Sequence, residues 1–204
     1  MKKRQGLLFV VSAPSGAGKT TLCRAVASES MDNVTHSISY TTRKPRHGEI
    51  DGRDYYFVSQ ERFSEMVAAG DFAEWAEVHS NRYGTSRRVL DDLISRGLDV
   101  ILDIDTQGAA QIKKKFDGAV YIFIMPPSIE ILEERLRNRK SDNEEEIRKR
   151  MRRAKEEIRD FRMYDYIIVN REFDRALAKL RSIMMAERCR TRLSDEVWIK
   201  SMTV

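Results

Sequence analysis

The stretch Ala13-Pro14-Ser15-Gly16-Ala17-Gly18-Lys19-Thr20 constrains this chain more than any other. It follows the apolar run Leu7-Leu8-Phe9-Val10-Val11 and precedes a helical pattern from Thr21 to about Ser28. A strand, a glycine-rich turn, Lys-Thr and a helix, in that order, make a phosphate-binding loop. Gly16 and Gly18 permit the tight turn that points successive backbone N–H groups at an anion. The N-terminus of the following helix adds partial positive charge. Lys19 can then reach the outer phosphates of a nucleotide, and the Thr20 hydroxyl can hold a magnesium ion. The strict motif begins with glycine, where this chain has Ala13.

The remainder alternates strands with helices. The runs Leu7–Ser12, Val100–Ile104, Val120–Met125 and Tyr166–Val169 read as buried parallel strands. Helical spacing covers Thr85–Gly97, through Val89, Leu90, Leu93 and Ile94, and Phe173–Arg190, through Phe173, Leu177, Leu180 and Met184. That order predicts a layered α/β domain. Two stretches break the rhythm. From Ser37 to about Tyr83 the chain is polar, aromatic and turn-rich. Here Ile38–Thr42 and Tyr55–Val58 suit a small separate sheet, and Glu61–Ala69 suits a helix. From Pro126 to about Asp160 two helices are expected, one capped by Ser128 and one by Ser141 to Asn143 with Glu144–Glu146 in its first turn.

Composition narrows the function classes. The chain has 204 residues, 41% hydrophobic and 34% charged, enough for one main core with insertions. Its net charge of +5 is a modest excess that ordinary surface charge explains more readily than nucleic-acid binding, and it also suits an anionic small substrate. Cys23 and Cys189 fall in no metal-ligand spacing and make no disulfide framework, so a reducing, cytoplasmic setting is expected. Lys2-Lys3-Arg4 before Leu7–Val11 has the outline of a signal peptide, but the apolar run is too short. No run approaches the ~20 apolar residues of a membrane span. No membrane partner is expected.

The first break carries Ser39-Tyr40-Thr41-Thr42-Arg43-Lys44-Pro45-Arg46-His47-Gly48-Glu49. Arg43 and Arg46, on either side of a proline turn, can clamp one phosphate with charge-assisted bonds. Tyr55, Glu74-Trp75, Tyr83-Gly84-Thr85 and Ile101-Leu102-Asp103-Ile104-Asp105-Thr106-Gln107-Gly108 follow. Taken singly, most of these are turn residues, core aromatics and surface acids. Asp103 and Asp105 come at the carboxyl end of a strand, where open α/β sheets place ligands.

Taken together, and with Ile168-Val169-Asn170, this ordered set resembles the guanylate kinases over essentially the whole chain, from Gly6 to about Arg188. The resemblance implies an α/β core of the P-loop NTPase type, three layers around a parallel sheet, with a small mixed α/β GMP-binding insertion and a helical lid. The implied parts are a core (1–36, 85–125 and 161–204), a GMP-binding subdomain (37–84) and a lid (126–160). The implied activity is magnesium-dependent transfer of the ATP γ-phosphoryl group to GMP, with dGMP as a further acceptor, by a monomer or homodimer. Ser15, Gly16, Ala17, Gly18, Lys19, Thr20, Thr21 and Asn170 match the ATP site. Ser39, Arg43, Arg46, Glu49, Tyr55, Glu74, Tyr83, Thr85 and Asp103 match the GMP site. Of these, Arg43, Arg46, Tyr55 and Tyr83 are expected on the GMP phosphate, and Glu74, Ser39 and Thr85 on the base. Thr20 is expected on Mg2+, with Asp103 nearby through water.

The chemistry of that assignment is sound. Guanine presents N1–H and a 2-amino group side by side, and an ionised Glu74 accepts both, while adenine turns a lone pair toward it. In the second break Arg135, Arg139 and Arg150 match the family's lid arginines, which with Lys19 and Arg43 make the expected catalytic set. Arg135 and Arg139 share a helix face. Arg137, Arg148, Lys149, Arg152 and Arg153 read as a solvated basic face. Lys140 stands where the lid commonly has glycine, and Arg171-Glu172 replaces a pair of acids after Asn170. Guanylate-kinase-like domains also serve as protein-binding modules, but the intact Gly-Lys-Thr and the lid arginines favour catalysis.

Overall fold

The computed structural model describes residues 4–28, 33–78, 80–138, 143–194 and 196–202. The chain enters the core as β1 (Leu8–Ser12), turns through the glycine-rich loop into α1 (Lys19–Ser28), and returns as the short strand β2 (Val34–His36). The first break contains β3 (Tyr40–Thr41), β4 (Tyr56–Phe57), α2 (Gln60–Ala68), β5 (Phe72–Val78) and β6 (Asn81–Ser86). Next come α3 (Arg87–Ser95), β7 (Asp99–Asp103), α4 (Thr106–Lys115) and β8 (Val120–Met125). The second break holds α5 (Ile129–Arg137) and α6 (Glu144–Arg159), before β9 (Tyr166–Val169), α7 (Phe173–Arg188) and α8 (Glu196–Ser201).

Five parallel strands form the main sheet in the order β2-β7-β1-β8-β9. A parallel sheet needs helices on both faces, and the alternation of side chains along β1 supplies an apolar surface to each. Phe9 and Val11 face Leu22, Cys23 and Val26 of α1 and Leu177, Leu180 and Met184 of α7. Leu8 and Val10 face Leu90 of α3 and Ala109 and Ile112 of α4. The register pairs Val11 with Asp103, so the loop after β1 emerges beside the acidic end of β7. That adjacency creates the site.

A second sheet, β4-β3-β6-β5, has mixed strand directions. Its apolar side is a small cluster of Phe63, Met66 and Phe72, with Phe63 stacked on Phe72. Two strands expected here are shorter than the sequence pattern suggests, since only Tyr40–Thr41 and Tyr56–Phe57 complete the ladder. The helix expected from Thr85 begins at Arg87, because Thr85 and Ser86 are drawn into β6 by pairing with Glu74 and Phe72. Ser86 then caps α3 through Val89 N–H. Ser128 caps α5 as expected, and Asn143 caps α6 in a capping box with Glu146. Ser141 lies outside the described residues. Phe161 falls past the end of α6 in a 3-10 turn and is exposed. Among the described residues no helix is long and apolar enough to cross a membrane. Cys23 is buried and Cys189 exposed, neither in a disulfide.

Leu22 is fully enclosed where α1 meets the sheet. Leu22→Ala should lower stability by about 2–5 kcal/mol, read as a drop in the denaturant midpoint at unchanged slope.

Candidate active site

Backbone conformation shapes the loop first. Gly16 and Gly18 have φ of 94° and 88°, the left-handed region that favours glycine. A Cβ on Gly18 would lie 2.5 Å from the amide nitrogen of Asn170. That amide donates to Ala17 O at 2.8 Å, and the Asn170 carbonyl accepts from Arg135 at 3.0 Å. Asn170, expected on the ATP side, thus braces the loop from below. Arg135 is tied to it, beside a second hollow lined by Pro127, Asn138 and Arg171.

Lys19 opens α1 and reaches across to β7. Its ammonium lies 2.5 Å from Asp103 and donates to Ile104 O at 2.7 Å. Burial disfavours the charge on each partner, but the opposite charge outweighs it. The Lys19 pKa stands above its ordinary value and that of Asp103 below. Thr20 also hydrogen-bonds the Asp103 carboxylate.

A cavity of about 260 Å³ runs from this loop to the second sheet. Ser15, Gly16, Gly18, Lys19, Thr20 and Thr21 line one end. Ser39, Arg46, Tyr55, Glu74 and Tyr83 line the other, with Asp103 between them. Arg43, Glu49 and Thr85 stand a layer behind. Arg43 forks onto Glu49 through bonds of 3.0 and 2.9 Å, and its guanidinium lies 5.4 Å from the Tyr55 ring centre. Glu49 also accepts from Arg46 N–H at 2.7 Å, so this one carboxylate shapes the whole arginine turn. The insertion is fastened to the core by Arg24 of α1, 2.8 Å from the buried Asp54.

Glu74 is a deeply buried acid of the cavity. It is 3% exposed, and burial raises its pKa to about 7 against the pull of the Thr85 hydroxyl. That hydroxyl donates to Glu74 Oε1 at 2.6 Å. Thr85, expected on the base, thus touches Glu74 and orients it.

Helix α6 corrects one expectation. Arg148, Lys149 and Arg152 are exposed, and Arg137 pairs with Glu133 and Glu144 on the surface, as a solvated face requires. Arg153 does not belong with them. It lies one helical turn after Arg150 and faces the same cavity. Its guanidinium bridges Asp105 at 2.9 Å and Glu157 at 3.1 Å. Arg150 lies 3.4 Å from the Ser15 hydroxyl. Arg139 lies outside the described residues. Asp105, left without a firm role by the sequence, uses one oxygen to cap α4 and the other to receive Arg153. The signal that could have found Arg153 was its spacing from Arg150.

Glu74 also couples the site to stability. With its folded pKa raised above the ordinary 4.5, the native state holds more protons than the unfolded chain between pH 4.5 and about 7. Stability from this group is therefore lost as pH rises through that window. Glu74→Gln should gain thermal stability over the parent at pH 8 and show no such gain at pH 4.5, in paired melting curves.

Known proteins place this geometry in context. A guanylate kinase family profile matches residues 5–187. A guanylate kinase of Geobacter metallireducens is 56% identical over 189 residues, 93% of each chain. One of Geobacter sulfurreducens is 56% identical over 196 residues, 96% of each. The crystal structure of guanylate kinase from Anaplasma phagocytophilum superposes with a TM-score of 0.77 at 36% identity, covering 94% of this chain and 90% of that one. The matches span the loop, both sheets and helices α5 and α6, and this chain belongs to the guanylate kinase family.

Proposed function

We propose that this chain transfers the γ-phosphoryl group of ATP to GMP, giving ADP and GDP. The observation that carries this reading is a single cavity with a phosphate-binding loop at one end and a buried, hydroxyl-oriented carboxylate at the other. The loop suits the donor triphosphate. Glu74 and Ser39 suit guanine, and Arg46, Tyr55 and Tyr83 suit the phosphate of GMP, with Arg43 and Glu49 holding that arginine turn in shape. The base and phosphate groups named here make no demand on a ribose 2′-hydroxyl, so dGMP is a second acceptor.

The acceptor oxygen of a nucleoside monophosphate is already anionic near neutral pH, so no general base is needed. Catalysis comes from alignment and charge neutralisation. Lys19 and Arg150 bring positive charge to the donor side of the cavity, and Arg135 of α5, with Arg139, completes the cage. Closure of residues 126–160 over the core excludes water from the transferring group. The second sheet, confined to residues 40–86, supports a GMP-binding subdomain over 37–84, with a boundary two residues later at the end of β6.

The Thr20 hydroxyl and the Asp103 carboxylate are hard oxygen donors in contact with each other. Among the described residues no cluster of three or more acidic, His or Cys side chains forms a metal cage. That is the donor set Mg2+ takes when nucleotide phosphates supply most of its ligands. Thr20 and Asp103 would hold it, and when bound it supplies charge neutralisation at the phosphates. A cytoplasmic setting, where ATP and GMP are found, follows from this activity.

The test is a coupled assay of ADP release with ATP and Mg2+, offering GMP, AMP, UMP and dTMP in parallel. Turnover with GMP alone is expected, and Lys19→Met should cut it by at least about a hundredfold in folded protein. Near-normal turnover in that variant, or equal use of AMP, would sink the reading. Arg153→Gln should lower kcat by about tenfold, roughly 1.4 kcal/mol in the barrier, with the GMP KM changed less than about twofold. An unchanged kcat would return Arg153 to the surface class.

A further inference from the structure

Helix α4 meets β5 along one face. Gly108, Gln111 and Lys115 recur at the three- and four-residue spacing that aligns side chains on a helix. Lys115 donates to Ala73 O at 2.8 Å. Gln111 donates to Trp75 O at 2.7 Å and accepts from Trp75 N–H at 3.3 Å. Because β5 is the edge of its sheet, these bonds satisfy backbone groups that no neighbouring strand reaches. Between the two anchored residues lies Glu74. A Cβ on Gly108 would stand 2.5 Å from Glu74 Oε2 and 3.2 Å from its carboxyl carbon. The carboxylate is thus held between the Thr85 hydroxyl on one oxygen and the bare backbone of Gly108 on the other.

We propose that Gly108 and Gln111 are positioning residues that set base specificity. Gln111 fixes the height of β5 against α4, and the missing side chain of Gly108 lets the Glu74 carboxylate lie where it can accept N1–H and a 2-amino group together. This inference rests on the reading of Glu74 as the group that meets the base. Its consequence is specific: disturbing this contact weakens discrimination between GMP and IMP, which differ only in the 2-amino group. The ATP end of the cavity, which shares none of these residues, is left alone.

Gly108→Ala is the direct test. Position 108 lies inside a helix and its φ is not positive, so alanine strengthens the helix and the cost falls on Glu74. Steady-state kinetics with GMP, IMP and ATP are compared for the parent, Gly108→Ala, Gln111→Met, Glu74→Gln, Glu74→Asp and the double variant Gly108→Ala/Glu74→Asp. Gly108→Ala should raise the GMP KM by about tenfold and lower the GMP-to-IMP preference by a similar factor, with the ATP KM within about twofold. Gln111→Met should move the same ratio in the same direction by less. The shorter aspartate vacates the contact, so the double variant should match Glu74→Asp alone.

An unchanged GMP-to-IMP ratio in both Gly108→Ala and Gln111→Met would overturn the proposal. So would strict additivity in the double variant. If Glu74→Gln itself keeps the parent ratio, the base is read elsewhere and the underlying assignment fails first. Loss of the ratio in Glu74→Gln but not in Gly108→Ala separates the two failures.

Discussion

The largely enclosed pair of Lys19 and Asp103, side chains 17% and 10% exposed, organises the molecule. It joins the first residue of α1 to the last residue of β7, across the register that sets Val11 beside Asp103. Such a pair adds little net stability, because removing two charges from water costs about what their attraction returns. Its value lies in what it fixes. The ammonium is held at the mouth of the loop, charged, with a second contact to Ile104 O. An arriving triphosphate meets a cation already desolvated and aimed, so little reorganisation is needed when charge moves.

From that pair two chains of contacts diverge. One runs beneath the loop, from Ala17 O to the Asn170 amide and on to Arg135 of α5. The other follows the carboxyl end of β7 to Asp105, whose two oxygens serve α4 and Arg153 of α6. Helix α6 is therefore fastened to the core at the carboxyl end of β7, two residues from Asp103. Glu157 shares Arg153 but leaves one buried oxygen without a hydrogen bond. Burial raises the Glu157 pKa, against the pull of Arg153.

Glu74 shows how the insertion and the core cooperate. Its strand belongs to the second sheet, its hydroxyl partner to the neighbouring strand, and its supporting backbone to a core helix. Burial between these elements lifts its pKa to about 7 and makes its charge responsive to what enters the cavity. A ligand offering two N–H groups favours the ionised form, and one offering a lone pair favours the protonated form.

Local patterns in the chain were enough to specify the loop, four of the five strands of the main sheet and the Ser128 cap, because each shows in residues close together in the chain. Gly16, Gly18 and Lys19 announce a phosphate site by spacing alone, and continuous apolar runs announce buried parallel strands. β5 escaped that kind of reading. A register shift between Phe72 and Glu74 buries Phe72, Ala73 and Glu74 in succession and leaves Trp75 exposed, the reverse of what polarity suggests. The partners of Arg153, the double duty of Asp105 and the contact that demands glycine at 108 join elements far apart in the chain. Only the tertiary structure could decide them, since burial and pairing are properties of neighbours in space, and one stripe of arginines on α6 serves equally well facing water or facing phosphate.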